Sequence, residues 1–143
     1  MNKNLLFAVT GIATLFCSQS IWAEEREYTD TQKVVYTYDT DGTTAKVKAG
    51  SYNTIIGSPS AKGDIVIPEK IVVDGNEYTV NCIGSAAFGG ELTTVQIPST
   101  VKTLEDDAFA LCNDLKSVVL PDNLEYLGDL AFADNPKFRS TLI

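Results

Sequence analysis

The 143-residue chain contains no histidine. That absence removes Ser-His-Asp and Cys-His nucleophile systems, the HExxH metal site and the Cys2His2 zinc site, because each needs an imidazole to move a proton or donate a lone pair. Basic residues are scarce as well: eleven Lys and Arg stand against nineteen Asp and Glu, a formal charge of −8. Holding a phosphate backbone by counterion release needs the opposite sign, so nucleic acid is not an expected partner. Long apolar runs are also lacking. The longest, Leu5 to Cys17, covers ~20 Å as a helix against a bilayer core of ~30 Å. What remains, 44% apolar and 21% charged residues, is ordinary globular composition with room for one domain.

The short apolar run has its own meaning. Lys3 precedes it, and Ser18-Gln19-Ser20-Ile21-Trp22-Ala23 follows with small residues, so residues 1–23 have the charged, apolar and cleavage regions of a secretory signal peptide in order. Cleavage after Ala23 leaves Glu24 as the new amino terminus, with a competing site after Ser20. Cys17 raises a lipoprotein alternative, but bulky Phe16 and the poor match of Thr14 disfavour it. The expected location is secreted or cell-surface, with no transmembrane span in the mature chain.

Beyond that segment the chain repeats itself every 23 residues. Glu91 to Asn113 and Asp114 to Pro136 superpose without a gap: Leu92 on Leu115, Val95 on Val118, Ile97 on Leu120, Pro98 on Pro121, Val101 on Leu124, Leu104 on Leu127 and Ala108-Phe109 on Ala131-Phe132. Phe138, Thr141 and Ile143 begin a further copy at the Leu92, Val95 and Ile97 positions. An earlier, modified copy is split between Asp64-Ile65-Val66-Ile67-Pro68 and Ile83 to Phe88. The insertion between these halves reads as a hairpin, Lys70 to Val73 and Asn76 to Val80 around Asp74-Gly75, a pair suited to a type I′ turn. A second hairpin, Val34 to Tyr38 and Ala45 to Lys48 around Asp41-Gly42, precedes the repeats, and Gly50 to Gly63 is a loop by composition. The domain plan is therefore a signal peptide at 1–23, an N-terminal β-hairpin cap and loop at 24–63, and repeats at 64–143.

Spacing gives each copy its form. Val95 and Ile97 share one face of a short strand, Thr94 and Gln96 the other, and Pro98 ends the strand because it has no N–H for a ladder. Val101 and Leu104 return to the core. Asp106-Asp107-Ala108-Phe109 is expected to make one helical turn that drops the phenylalanine inward. A single unit leaves its apolar side open, and stacking on a neighbour covers it.

The L-x-x-V-x-I-P and L/I-x-x-x-A-F pattern resembles the leucine-rich repeats of the bacterial BspA-like surface-antigen family. The resemblance extends to Asp64 to Pro68, the Asp74-Gly75 hairpin and the Tyr78 to Gly84 run, and covers roughly Val34 to Ile143. It implies a leucine-rich-repeat solenoid, β-rich with short helical turns, on a secreted or surface-attached protein engaged in adhesion to a protein or glycan ligand. No catalytic residues and no cofactor belong to the pattern. The chain departs from the family in having barely two full repeats where long arrays are usual, which gives a second reading: a truncated or degenerate structural fragment of a larger surface protein. An enzyme is the remote third.

Stacking places Asp64, Thr94, Ser117 and Ser140 in one outward column and Val66, Gln96, Val119 and Leu142 in the next. Thr94, Gln96, Ser117 and Val119 are the expected ligand-binding residues, with β-branched residues chosen merely for strand propensity as the competing explanation. Cys82 and Cys112 differ in repeat phase, Cys82 being expected to point outward, which leaves a buried, unpaired Cys112 ahead of a disulfide between them. The acidic run of Glu105, Asp106, Asp107, Asp114, Asp122, Glu125, Asp129 and Asp134 lacks a calcium-loop pattern and reads as a solvated surface, so no metal is expected. The last strand lacks the Pro and A-F segment that follow it elsewhere, so Leu127 and Phe132 are expected to be incompletely covered and self-association through this edge is an expected partner mode. Amino-terminal sequencing of exported protein should find Glu24 or Ile21, whereas an intact Met1 contradicts the signal assignment.

Overall fold

The computed structural model describes residues 24–40, 42–50 and 57–139. The signal segment, and with it Cys17, lies outside them, as do Ser140 and Leu142 of the two outward columns. Ten strands run through the described residues: β1 (Glu25–Thr29), β2 (Val35–Asp39), β3 (Thr44–Val47), β4 (Gly63–Val66), β5 (Lys70–Val73), β6 (Asn76–Ile83), β7 (Leu92–Gln96), β8 (Thr103–Leu104), β9 (Ser117–Val119) and β10 (Tyr126–Leu127).

Two sheets organise these strands. In the three-stranded sheet, in the order β4-β7-β9, all pairings are parallel, with Val95 between Ile65 and Val118. The larger sheet runs β1-β2-β3-β6-β8-β10, with β5 folded back on β6. Both expected hairpins are present. β5 and β6 are antiparallel with Val73 opposite Asn76, and Asp74 and Gly75 take φ of 51° and 84°, the pair of positive angles a type I′ turn requires. β2 and β3 are antiparallel through Tyr36 opposite Val47. β1 is an addition to the sequence reading: Glu25-Arg26-Glu27 carries no apolar alternation, and the strand forms because β2 offers it a ladder. Of the expected loop at 50–63, residues 51–56 lie outside the described residues and 57–62 carry no strand.

The A-F segments differ from expectation. They form extended turns, and among the described residues there is no helix. The reason is where their N–H groups go. Ala86, Phe88 and Gly90 donate to the carbonyls of Asp106, Ala108 and Leu111 in the next copy, and Asp107, Phe109 and Leu111 donate to those of Asp129, Ala131 and Ala133 in the copy after, all at 2.8–3.2 Å. Donors spent between copies are not available to an i−4 carbonyl. Left-handed residues recur in phase, at Ala86, Asp107 and Leu130 and again at Gly90, Leu111 and Asp134, and each interrupts helical geometry.

The core is a column of equivalent side chains. Phe88, Phe109 and Phe132 stack face to face, with centroids 5.1 and 5.5 Å apart and planes within 9° and 4°. Beside them Ile83 and Leu104, Leu92 and Leu115, and Val101 are fully buried. Close approach of the copies also dictates a glycine: a Cβ on Gly128 would sit 2.5 Å from the Asp106 nitrogen and the Glu105 carbonyl carbon, and its N–H donates to Leu104 O at 2.7 Å. Asn135 joins copies by side chain, accepting from the Cys112 N–H at 2.7 Å and donating to Phe109 O at 2.8 Å.

Phe138 begins the further copy in register, its N–H bonded to Asn135 O at 3.0 Å as Leu115 is to Cys112 O. Its ring, however, extends the aromatic column, lying 5.1 Å from Phe132 at 5°. Phe132 thus has a ring against each face, yet it stays only partly buried where Phe88 and Phe109 are fully buried, as expected for it. Leu127, at 49% exposed, does lack the cover its fully buried counterpart Leu104 has. Phe109→Ala should cost about 3–5 kcal/mol, the range for a buried phenylalanine, in chemical denaturation. A cost below about 1 kcal/mol would contradict the stacked register.

Candidate functional site

The three-stranded sheet turns Ile65, Val95 and Val118 inward, so alternation turns their neighbours outward. Asp64, Thr94 and Ser117 stand in one row by register, and Val66, Gln96 and Val119 in the next. The four residues expected at the binding face are therefore brought together on two adjacent strands. Val66 and Val119, 51% and 58% exposed, flank Gln96, itself exposed, so the second row is an apolar-polar-apolar stripe.

Thr94 is not free of structural duty. The pairing of β4 with β7 slips between Gly63 and Asp64, so that Gly63 faces Leu92 while Asp64 faces Thr94. The extra residue, Thr93, is a bulge that brings a second hydroxyl onto the same carboxylate. Thr93 Oγ1 and Thr94 Oγ1 donate to Asp64 Oδ1 at 2.5 and 2.8 Å. These bonds, with a smaller contribution from the Lys116 charge, hold the Asp64 carboxyl below the usual carboxylate range. The face thus presents a fixed negative charge beside the apolar stripe. Sequence reasoning placed Asp64 in the column but missed this pair of bonds, because a bulge leaves no mark in a pattern of period two.

The other candidates resolve differently. Cys112 is buried and unpaired, and burial pushes its thiol up to about 12, which makes it a poor nucleophile. Cys82 is 1% exposed, so it is not the solvent-facing residue expected; it lies mid-sheet between Lys46 and Thr103. Most of the acidic run is on the surface, but Glu105 is a second correction, at 3% exposed. Its counterparts one copy away are Gly84 and Gly128, themselves buried, so the charge stands at an interior phase of the repeat. Glu105 Oε2 accepts from the Ser85 N–H at 2.9 Å, and Oε1 faces Lys46 Nζ at 3.8 Å. Asp106 also has a structural task, accepting the Asp129 N–H at 2.8 Å. Among the described residues no three Cys, Asp or Glu side chains gather closely enough to hold a metal ion, and no helix is long and apolar enough to cross a membrane.

With this geometry in view, comparison with known proteins gives the family. The family model described as the BspA type leucine rich repeat region matches residues 69–143, and the chain belongs to that family. The match begins at the inserted hairpin, so β1 to β4 precede it. Among solved structures, the chain is similar to a leucine-rich cell surface protein of Faecalibacterium prausnitzii, at 24% identity and TM-score 0.54, over 81% of this chain and 30% of that one. It is similar also to the pneumococcal vaccine antigen PcpA, at 22% identity and TM-score 0.51, over 82% of this chain and 38% of that one. The chain therefore spans about a third of the length of each, and at these identities the likeness is one of fold. No curated protein matches the chain.

The Asp64 geometry has a measurable consequence. A carboxyl whose folded value is depressed contributes stability that is present above its unfolded value and lost as pH falls through the folded one. In an NMR titration Asp64 should titrate below ordinary aspartates, and Thr93→Val with Thr94→Val should move its midpoint upward. An unmoved midpoint would mean that the two hydroxyl bonds do not form in solution.

Proposed function

We propose that the protein is a non-catalytic, extracytoplasmic binding module, a short leucine-rich-repeat solenoid whose contact surface is the outward face carrying Thr94, Gln96, Ser117 and Val119. The observation that carries this reading is the exposed stripe of Val66, Gln96 and Val119, held in register on a parallel ladder. Apolar side chains at such positions contribute nothing to the core, and strand propensity alone does not require them beside a fixed carboxylate. Membership of a surface-protein family and the signal-like amino terminus support an extracytoplasmic location. A histidine-free chain whose buried Cys112 thiol is unreactive supports a role in attachment over catalysis.

The ligand is a protein or glycan surface. Three strands at ~4.8 Å spacing make a patch about 10 Å across, which suits weak attachment strengthened by multivalency. The experiment is attachment of the mature protein to arrayed matrix proteins and glycans. Gln96→Lys and Val119→Glu should each reduce attachment at least about tenfold, equivalent to ~1.4 kcal/mol, while the circular dichroism spectrum stays unchanged. Attachment that survives both substitutions but is lost on altering the Asp74-Gly75 hairpin places the contact elsewhere. Absence of attachment to every surface favours the structural-fragment reading.

A further inference from the structure

One edge of the three-stranded sheet is already occupied by a side chain. β4 is the terminal strand, and beyond β7 it has no strand neighbour among the described residues. Val66 nevertheless has both its outward backbone groups bonded. Gln32 Nε2 donates to Val66 O at 2.8 Å, and the Val66 N–H donates to Gln32 Oε1 at 2.9 Å. A primary amide carries one carbonyl and one NH2 group, so it reproduces the donor and acceptor of a peptide unit. These two bonds are the pair that one residue of an antiparallel strand would exchange with Val66.

The amide is held ready for this task by the turn between β1 and β2. Asp30 Oδ1 accepts the N–H groups of Gln32 and Val34 at 2.8 and 2.9 Å, and Asp30 Oδ2 accepts the Tyr36 hydroxyl at 3.0 Å. Lys33 takes a φ of 69°, and the Lys33 N–H bonds back to Asp30 O at 3.1 Å. The turn is thus fixed from both sides of Gln32, and its tip reaches across 34 residues of sequence to the sheet edge.

We propose that Gln32 is a plug that closes a strand-docking edge, and that the partner it excludes is a second copy of the chain, paired antiparallel through its own β4. The edge is suited to itself. Symmetric pairing about Val66 sets valine against valine, each 51% exposed in the single chain, and sets Asp64 opposite Pro68 of the partner subunit, so that between Asp64 and Pro68 no two like charges face each other. Ile65-Val66-Ile67 is also a β-branched run of the kind that adds to an open edge. Val66 belongs both to this edge, by its backbone, and to the outward stripe assigned to ligand, by its side chain, but the edge is tested at Gln32 and the ligand face at Gln96 and Val119, so a failure of either assignment can be told from a failure of the other.

Sedimentation velocity on the mature chain tests the plug. Gln32→Ala should associate into dimers at least about tenfold more strongly than the parent chain, with circular dichroism unchanged. Gln32→Asn, which keeps the amide but is one methylene too short to reach, should do the same. Adding Val66→Pro to Gln32→Ala should return the parent distribution, because proline removes the N–H that a docked strand needs and is tolerated where an edge N–H points outward. The proposal is overturned if Gln32→Ala and Gln32→Asn sediment as the parent does, or if the double variant still dimerises, which would assign the association to another surface such as the exposed Leu127.

Discussion

Everything in this structure depends on each copy giving its backbone donors and one aromatic ring to the next. A 23-residue unit has too few residues to bury its own apolar side. Stacking removes that difficulty and imposes conditions in return. Alternate N–H groups of the A-F turns are committed to the neighbouring copy, so the turns do not wind into helix. Phenylalanine rings lie nearly parallel and in contact. Where the main chains come closest, at Gly128, a side chain has no room. A departure at any one of these points exposes apolar surface on two copies at once.

A stack needs a beginning, and the N-terminal strands supply it. β3 pairs with β6 along the larger sheet, so the first copy meets a ladder already formed. The buried contact of Glu105 with Lys46 and Ser85 ties the second copy to the cap and the first. A buried ion pair of this kind is weak evidence for net stability, but losing one partner leaves the other charge buried and unpaired, which fixes the register between cap and repeats. The amide of Gln32 completes the arrangement at the sheet edge. With the inward positions committed to the stack, the outward side chains of β4, β7 and β9 are among those left exposed.

How much of this was legible in the sequence follows from which interactions leave a pattern. The repeat, the inward residues, both hairpins, the Asp74-Gly75 turn and the outward rows of β4, β7 and β9 were readable because each rests on spacing or on a turn residue, while Asp41 of the other turn lies outside the described residues. Thr94, Gln96, Ser117 and Val119 fell into place by alternation alone. The A-F turn was misread as helical, since Asp-Asp-Ala-Phe carries no sign that its donors are taken by another copy. Glu105 was assigned to the surface by its charge, and only the glycines at the same phase, Gly84 and Gly128, hinted at an interior pocket. Cys82 was expected to be outward by alternation, which does not reveal whether an outward position is covered. β1 was missed because charged residues form a strand there only through pairing with β2. The Gln32 to Val66 contact spans unrelated segments, and no local pattern could carry it.

The central claim, that the copies are coupled through the aromatic column and the ladders around it, is tested most directly by native-state hydrogen exchange on the parent chain and on Phe109→Ala. The equivalent amides of Gly84, Phe88, Glu105, Phe109 and Gly128 should share one opening free energy in the parent and fall together in the variant, since each is bonded into an adjacent copy or the cap. Loss of protection confined to residues 107–112, with Gly84 and Phe88 unaffected, would show that the copies open independently and would contradict the account.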